Sequence, residues 1–391
     1  MSLFSKSKEK EELVLVFDIG SSSVGGALFF AKKVNAPKII YSIREPIDLK
    51  QEIDFPEFMS LMNKALDTVV NKISLAGLGA PKKIYCVLSS PWYSSQIRNI
   101  SYQKDTPFVF SSKLADSLLQ KEITSFEEEH LKQYLENNNK IEPIELRNMC
   151  TTLNGYVTSK PINQKTKDAE MVIFISMSPA DVLEKIKQSI GKHFHTKDIK
   201  FSSFAMTSFS VSRSMFVNQE NFLLVDVGGE LTEISMVKKD ILRSSASFPL
   251  GSNFLIRGMS SELKCSLDEA KSYLSIFKDG HAEKDTHEKI EAVIKKLKAT
   301  WLLKFQESLV NISHDISIPS TIFLTTDKDL SEFWTETIKA EQYNQYTLTE
   351  SKFNVVFLGV NALHGVVNFQ ENTNRDPLLI IEAIYINHFL F

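Results

Sequence analysis

Two stretches of this chain can be laid on each other: Val16-Phe17-Asp18-Ile19-Gly20 and Leu224-Val225-Asp226-Val227-Gly228, 208 residues apart in a sequence of 391. In each, a continuous apolar run (Leu13 to Phe17; Phe222 to Val225) has the pattern of a buried strand and meets an Asp-x-Gly turn. Beyond the turn a second strand resumes, Val24 to Phe30 in one copy and Leu231 to Val237 in the other, so each copy predicts a hairpin. One such hairpin constrains little. Two, half a chain apart, predict a duplicated α/β fold with two related lobes.

The composition suits a fold of that size. With 43% hydrophobic and 10% aromatic residues, the chain has the apolar content that disordered sequences lack. A net charge of −3 argues against a dedicated nucleic-acid binder, which needs a clustered excess of Lys and Arg. Cys86, Cys150 and Cys265 are far apart, without CxxC or Cys/His grouping, and read as reduced structural thiols of a cytosolic protein. Met1 to Glu12 is polar and reads as a solvated tail. No segment has the ~18–20 consecutive apolar residues of a membrane span. Leu378 to Phe391 is apolar except for Glu382, Asn387 and His388; it is read as a docked terminal element or a segment lying on a membrane surface.

Only 14 glycines occur, about half the usual ~7% share, and six fall in three places: Gly20, Gly25 and Gly26; Gly228 and Gly229; Gly251. A glycine turn lets backbone N–H groups converge on an anion. Ser21, Ser22, Ser23 and Thr232 add hydroxyl donors, and Asp18 and Asp226 suit a magnesium ion held through its waters. Facing each other across a cleft, the two turns would clamp the phosphates of a nucleotide. The plainer reading is two hairpin turns whose aspartates cap backbone N–H groups; the pairing favours the clamp.

These residues resemble the actin-like ATPases, whose two lobes are ribonuclease-H-like. Asp18-Ile19-Gly20-Ser21-Ser22 resembles the first phosphate motif of that superfamily, and Asp226-Val227-Gly228-Gly229 with Thr232 the second. Phe248-Pro249-Leu250-Gly251-Ser252-Asn253, followed by Ser266-Leu267-Asp268-Glu269-Ala270, resembles a narrower branch: the bacterial cell-division actin homologue (FtsA type) and its relative in type IV pilus assembly (PilM type). Ser266 and Glu269 also form a capping box in their own right. The resemblance implies a small inserted α+β domain (SHS2-like), read at 83–177 from a strand at Ile84 to Leu88, a helix at Lys113 to Leu135, and strands around Met149 to Val157 and Met171 to Met177. The expected organisation is a tail at 1–12, lobe I at 13–82 and 178–218, lobe II at 219–376, and the apolar segment at 377–391.

The same resemblance locates the departures, and they fall together in the nucleotide pocket. Glu230 stands where the family has a small residue. Lys271 and Leu274 replace the Glu and Lys that reach the nucleoside. The adenine loop aligns with Ile322 to Asp327, where Thr325-Thr326-Asp327 replaces Thr-Gly-Gly, inside an interval from His281 to Leu358 that has no glycine. Side chains at Thr326 and Asp327 would obstruct a base or force another turn. ATP and magnesium are therefore expected to be held weakly, differently or not at all, with no catalytic residue assigned; Ser89, Ser90 and Gln96 are merely polar residues near a strand end.

Other features have plainer readings. His193 and His195 sit beside a helix end, and Glu127 to Glu129 form a solvated face. The segments Phe58 to Ile73 and Glu283 to Asn311 are amphipathic helices that pack on their lobes. No G-x-S-x-G elbow or Walker A sequence occurs. The expectation is an FtsA-type scaffold in the cytoplasm at the inner face of the membrane. It would assemble head to tail into filaments or dimers, bind a peptide of a division partner and meet the membrane surface. The first alternative is a PilM-type pilus-assembly component, favoured by Asp18 to Val24. The second is an ATP-dependent enzyme of the same fold, a small-molecule kinase or chaperone.

Overall fold

The computed structural model describes residues 11–32, 35–134, 140–195, 198–278, 284–313, 317–340 and 352–391. Residues 1–10 of the tail expected at 1–12, Leu135 at the end of one helix and Glu283 at the start of another lie outside them, and Glu12 belongs to the first strand. The first hairpin is β1 (Glu12–Ile19) and β2 (Ser23–Ala31), with Asp18 opposite Gly25. The chain continues through β3 (Lys38–Pro46), α1 (Phe55–Leu75) and β4 (Lys83–Leu88). The second hairpin is β10 (Phe222–Val227) and β11 (Thr232–Lys238), with Asp226 opposite Glu233, followed by β12 (Ile241–Phe248). Then come α5 (Ser252–Leu263), α6 (Leu267–Lys278), α7 (Lys284–Ser313) and β13 (Thr321–Thr326).

The predicted duplication extends well beyond the hairpins. Lobe I carries the order β3-β2-β1-β4-β9, with β9 at Ile199–Ser203; lobe II carries β12-β11-β10-β13-β14, with β14 at Asn354–Phe357. In both, the first two pairings are antiparallel and the last two parallel. β4 is thus the lobe I counterpart of β13. The sequence reading assigned it to the insert, but its residues Ile84 to Leu88 are buried in the lobe I sheet beside β1.

The inserted domain is a separate four-stranded sheet, ordered β5-β8-β6-β7, with one helix: β5 (Ser94–Phe110), α2 (Ser112–Tyr134), β6 (Ile141–Leu153), β7 (Tyr156–Val157) and β8 (Gln164–Pro179). β5 escaped prediction because it is a largely exposed terminal strand with Pro107 inside an irregularity between Gln103 and Phe108. After β8, α3 (Ala180–Gly191) and α4 (Phe204–Met215) return to lobe I. The insert is anchored there by Glu145 of β6. Its carboxylate accepts from Ser203 N–H (2.9 Å) and Oγ (2.6 Å) at the start of α4, and from Tyr385 Oη (3.0 Å).

α4 is buried along Phe204 to Ser212. Hydroxyls of Thr207 and Ser210 turn back onto its own carbonyls, Ser203 O and Met206 O, which helps a polar helix lie in a core; Ser212 Oγ is buried without a partner. The predicted amphipathic helices form as expected. α1 buries Phe58, Ala65, Leu66, Val69 and Ile73, and α7 buries Ile290, Ile294, Leu297, Trp301, Phe305 and Leu309. The capping box at α6 closes, with Ser266 N–H donating to Glu269 and Glu269 N–H to Ser266 Oγ.

Residues after β14 return to lobe I. α8 (Ser331–Lys339) precedes β14, whereas β15 (Asn368–Phe369), expected within lobe II at 219–376, adds instead to β3 at the edge of the lobe I sheet. α9 (Pro377–Tyr385), capped by Asp376, packs on β1, β2 and α4, and a π-helical turn (Ile386–Leu390) follows. Leu379, Ile380, Ile381, Ala383, Ile384, Tyr385 and Ile386 are buried. Residues 377 and 379–387 are therefore core, while His388 and Phe389 at the end of the stretch are exposed. No helix among the described residues is long and apolar enough to cross a membrane. Ile381→Ala should lower stability by about 2–5 kcal/mol through lost packing, read as a drop in the urea midpoint, with vesicle co-sedimentation unchanged. A midpoint unmoved by that substitution would contradict the core assignment.

Candidate functional site

The two predicted turns have the same backbone form. Gly20 N–H donates to Ser23 O (3.1 Å), and Gly228 N–H donates to Leu231 O (3.0 Å). They also meet. A Cβ on Gly229 would lie 2.6 Å from Ser22 N and 2.7 Å from Ser21 C, so the second turn rests directly on the backbone of the first. Glu230 N–H donates to Ser21 Oγ (3.0 Å), and Ser22 Oγ donates to Asp327 Oδ2 (3.1 Å) at the end of β13. The space left between the turns is about 20 Å³, enough for one water molecule.

The N-terminus of α5, where backbone N–H groups commonly hold phosphate, is already engaged. Ser252 N–H donates to Gly228 O and Asn253 N–H to Gly229 O, each at 2.8 Å. Gly251 is required here: a Cβ would stand 2.3–2.4 Å from the Gly228 and Gly229 oxygens. Glu230 turns away from the turns onto α5, where Arg257 Nη1 and Nη2 donate to its carboxylate at 2.6 and 2.9 Å and Asn253 Nδ2 at 2.8 Å. Arg257 also donates through Nε to Lys50 O of lobe I.

Arg44 of β3 occupies the space beside the first turn. Its Nε and Nη2 donate to Asp376 at 2.5 and 3.0 Å, and Nη1 donates to Ser23 Oγ at 2.9 Å. Nη2 also lies 2.7 Å from Asp18 Oδ2. Burial opposes the charge of Arg44, yet Asp376 and Asp18 outweigh it and hold the guanidinium above its usual pKa. Burial likewise works against Asp376, but Arg44 and the N–H groups of Leu379 and Leu378 bring its carboxyl below the usual range. Glu382 of α9 lies against Asp18. Burial, then the Asp18 charge, push Glu382 well above its usual pKa. Asp18 itself is raised, because burial outweighs Arg44.

The expected ligand roles are reassigned accordingly. Asp18 is paired with a guanidinium in place of a hydrated magnesium ion. Asp226 accepts from Thr325 Oγ1 (2.8 Å). Burial raises its pKa to about 8, the Thr325 bond opposes this, and Glu233, Asp18 and Asp327 add to the rise; a protonated carboxyl is a poor partner for magnesium. Thr232 faces away from the turns: Oγ1 donates to Leu250 O (2.7 Å) and accepts from Trp301 Nε1 (3.1 Å). Thr326 is buried in β13 with Oγ1 on Val227 O, so the expected adenine loop is strand up to that residue. Gly20, Ser21, Ser22, Ser23, Gly228 and Gly229 do come together, but onto one another. Ser22 and Ser23 of the first turn, with Thr326, Asp327, Lys271, Leu274, Arg44 and Asn253, also line a neighbouring cleft of about 630 Å³. Among the described residues no group of three or more His, Cys, Asp or Glu is placed to hold a metal. In this arrangement the residues do not fit a magnesium–triphosphate group.

Arg44, Asp376 and Glu382 were not singled out from sequence. Glu382 had a visible signal, as the single acid in a stretch of apolar residues. A buried acid in such a stretch must find a proton or a cation.

The paired sheets with matching hairpins, split by an inserted domain, define the actin-like ATPase fold, which is the fold of this chain. No protein-family model matches the sequence, and no curated protein matches it. Among solved structures, one described as a PilM–PilN type IV pilus biogenesis complex aligns with a TM-score of 0.57 at 12% identity, over 96% of this chain and 97% of the other. The ethanolamine utilization protein EutJ from Carboxydothermus hydrogenoformans aligns at 0.42 and 10%, over 97% and 90%. A Bacteroides thetaiotaomicron protein with an actin-like ATPase fold aligns at 0.38 and 10%, over 98% of both chains.

Two outcomes follow from the site. The unfolded chain ionises Asp226 near the ordinary 3.8, while the folded chain keeps the proton up to about 8. This residue therefore costs stability progressively as pH rises between those values. Asp226→Asn carries no such proton, so its melting temperature relative to wild type should rise from pH 5 to pH 8; a pH-independent difference refutes the protonated state. Arg44→Met should cost about 3–5 kcal/mol by stranding buried acids. Adding Asp376→Asn should cost less than the two single losses summed, and strict additivity in chemical denaturation would show that the pair does not interact.

Proposed function

We propose that this protein is a scaffold with an actin-like fold, of the PilM type, that binds partner proteins without turning over nucleotide. The observation that carries the reading is Arg44. A guanidinium held by Asp18, Asp376 and Ser23 stands beside the first of two turns already in contact, so a cation from the protein neutralises Asp18 where a hydrated magnesium ion would otherwise do so. Closure then needs no ligand. A scaffold gains from this, because its binding surfaces persist whatever the nucleotide supply.

The pilus-assembly reading is preferred to cell division for a structural reason. The apolar segment 378–391 favoured the FtsA type as a membrane link, and most of that segment, 379–387, is buried in lobe I. The close match of Asp18 to Val24 to the PilM-type first motif remains, and the alignment over nearly the full length of both chains is in keeping with it. In this reading the protein works in the cytoplasm, reaching the membrane face through a membrane-anchored partner whose peptide it binds. An FtsA-type protein that forms head-to-tail filaments is the second reading; sedimentation of polymers at micromolar protein would favour it. The enzyme reading needs a catalytic acid and an open adenosine loop, and supporting geometry for neither is present among the described residues.

Calorimetric titration of the full chain with ATP and magnesium, beside a phosphate-release assay, tests the proposal. No binding heat at millimolar ATP and no release above the buffer rate are expected. Micromolar binding with steady release of phosphate would overturn it.

A further inference from the structure

At the end of the β11–β12 hairpin farthest from the glycine turns, a cavity of about 540 Å³ opens between lobe II and the insert. Lys238, Lys239 and Arg243 of the hairpin line it, with Asn221 just before β10 and Asn99 of β5 in the insert. Among the described residues no aspartate or glutamate forms its wall, and none of the three cations has an ion-pair partner. Lys238 Nζ has only Ser317 Oγ, at 3.4 Å. Burial lowers the pKa of Lys238 from its usual value, as it does for an ammonium group partly stripped of water. In a chain with a net charge of −3, this recess holds a local excess of positive charge.

The hairpin is built so as to gather these charges. Consecutive residues of a regular strand point to opposite faces, yet Arg243 and Ser244 both line the cavity. A bulge permits this. Met236 pairs with Ser244 and Val237 with Leu242, which leaves Arg243 as the extra residue of β12. Lys239 adopts a left-handed turn conformation (φ 51°), where asparagine or glycine fits with less strain. Its N–H donates to Asn221 Oδ1 (3.1 Å), so the amino group of Asn221 is left to donate elsewhere. The Ser244 hydroxyl is already committed to Ile312 O (2.9 Å).

Three cations exceed what a single carboxylate would neutralise. A group with two negative charges and several acceptor oxygens matches them better: the lysines supply charge, and the fork of arginine supplies direction. The recess has the size of small-molecule sites, and its concavity suits such a ligand better than a flat membrane. We propose that this cavity binds the phosphate group of a small phosphomonoester, held by Lys238, Lys239 and Arg243 of lobe II and by Asn99 of the insert. The site stands apart from the interlobe turns and goes beyond the scaffold reading. A ligand gripped from both sides would tie the insert to lobe II, so its concentration would set how firmly the insert is held.

The test is calorimetric titration of the full chain with glycerol phosphate, beside glycerol as the uncharged counterpart. Saturable binding of glycerol phosphate and none of glycerol are expected. Lys238→Gln combined with Arg243→Gln should weaken binding by about tenfold or more. Asn99→Asp, which brings an acid to the rim from a different domain, should weaken it as well, and this exposed position keeps the test alive if the double variant folds poorly. Lys185→Gln, at an exposed site on α3, should leave binding unchanged. Absence of saturable binding, undiminished affinity in both rim variants, or an equal loss in Lys185→Gln overturns the proposal. So does co-sedimentation with phosphatidic acid vesicles by a chain that does not bind glycerol phosphate, which would mark a membrane-facing surface instead.

Discussion

The first turn of this molecule is built around one buried guanidinium. Arg44 leaves β3 to meet Asp376 at the start of α9, Asp18 at the end of β1 and Ser23 at the start of β2. Burial alone would penalise each of these charges by several kcal/mol. Together they offset that cost, and each partner fixes an element: Asp376 caps α9, and Asp18 ends the strand from which the first turn springs. The surplus acid, Glu382, is accommodated by keeping its proton. Balance of charge inside the core, more than packing, thus sets where the first turn sits.

With that turn fixed, the rest of the interlobe contact follows from the duplicated sheets. Each lobe presents an Asp-x-Gly turn at the same end of its central strand, so two like turns converge. Small residues decide how near they come. Gly229 lets backbone rest on backbone, and Gly251 lets α5 reach the carbonyls of the second turn. Behind the turns, α4 is a buried helix, most of whose hydroxyls bond its own carbonyls. The insert is tied to the start of that helix by Glu145. The contacts at Glu233 join lobe II to lobe I on the far side. The lobes are therefore held on both sides of the turn-to-turn contact, and by side chains of the protein itself.

Much of this was legible in the chain. The repeated Val-Phe-Asp-Ile-Gly and Leu-Val-Asp-Val-Gly stretches predicted the two hairpins and the related lobes. The 3.6-residue periodicity of Phe58 to Ile73 and Ile290 to Leu309 predicted α1 and α7, because one apolar stripe suffices to define such a helix. The departures at Glu230, Thr326 and Asp327 pointed to an altered pocket. Less legible were elements whose place is set by distant pairing. β5 is mostly solvated and has no apolar alternation to betray it. β4 looked like the opening of the insert because it is followed by the insert's residues, while its pairing is with β1. The segment 378–391 is equally apolar whether it meets lipid or core, and composition does not distinguish those surroundings.

Sequence by itself determined the architecture, since hairpin signals, strand hydrophobicity and helix periodicity are local properties written in consecutive residues. It also determined which positions of the nucleotide pocket depart from the related pattern. Only the tertiary structure decided what replaces that pocket. Arg44, Asp376 and Glu382 lie in segments hundreds of residues apart, and their charges acquire meaning from a shared, water-poor space that no linear spacing encodes. The same holds for Glu233, which ties lobe II to the loop after β4 through Ser90 and Tyr93, far from it in sequence.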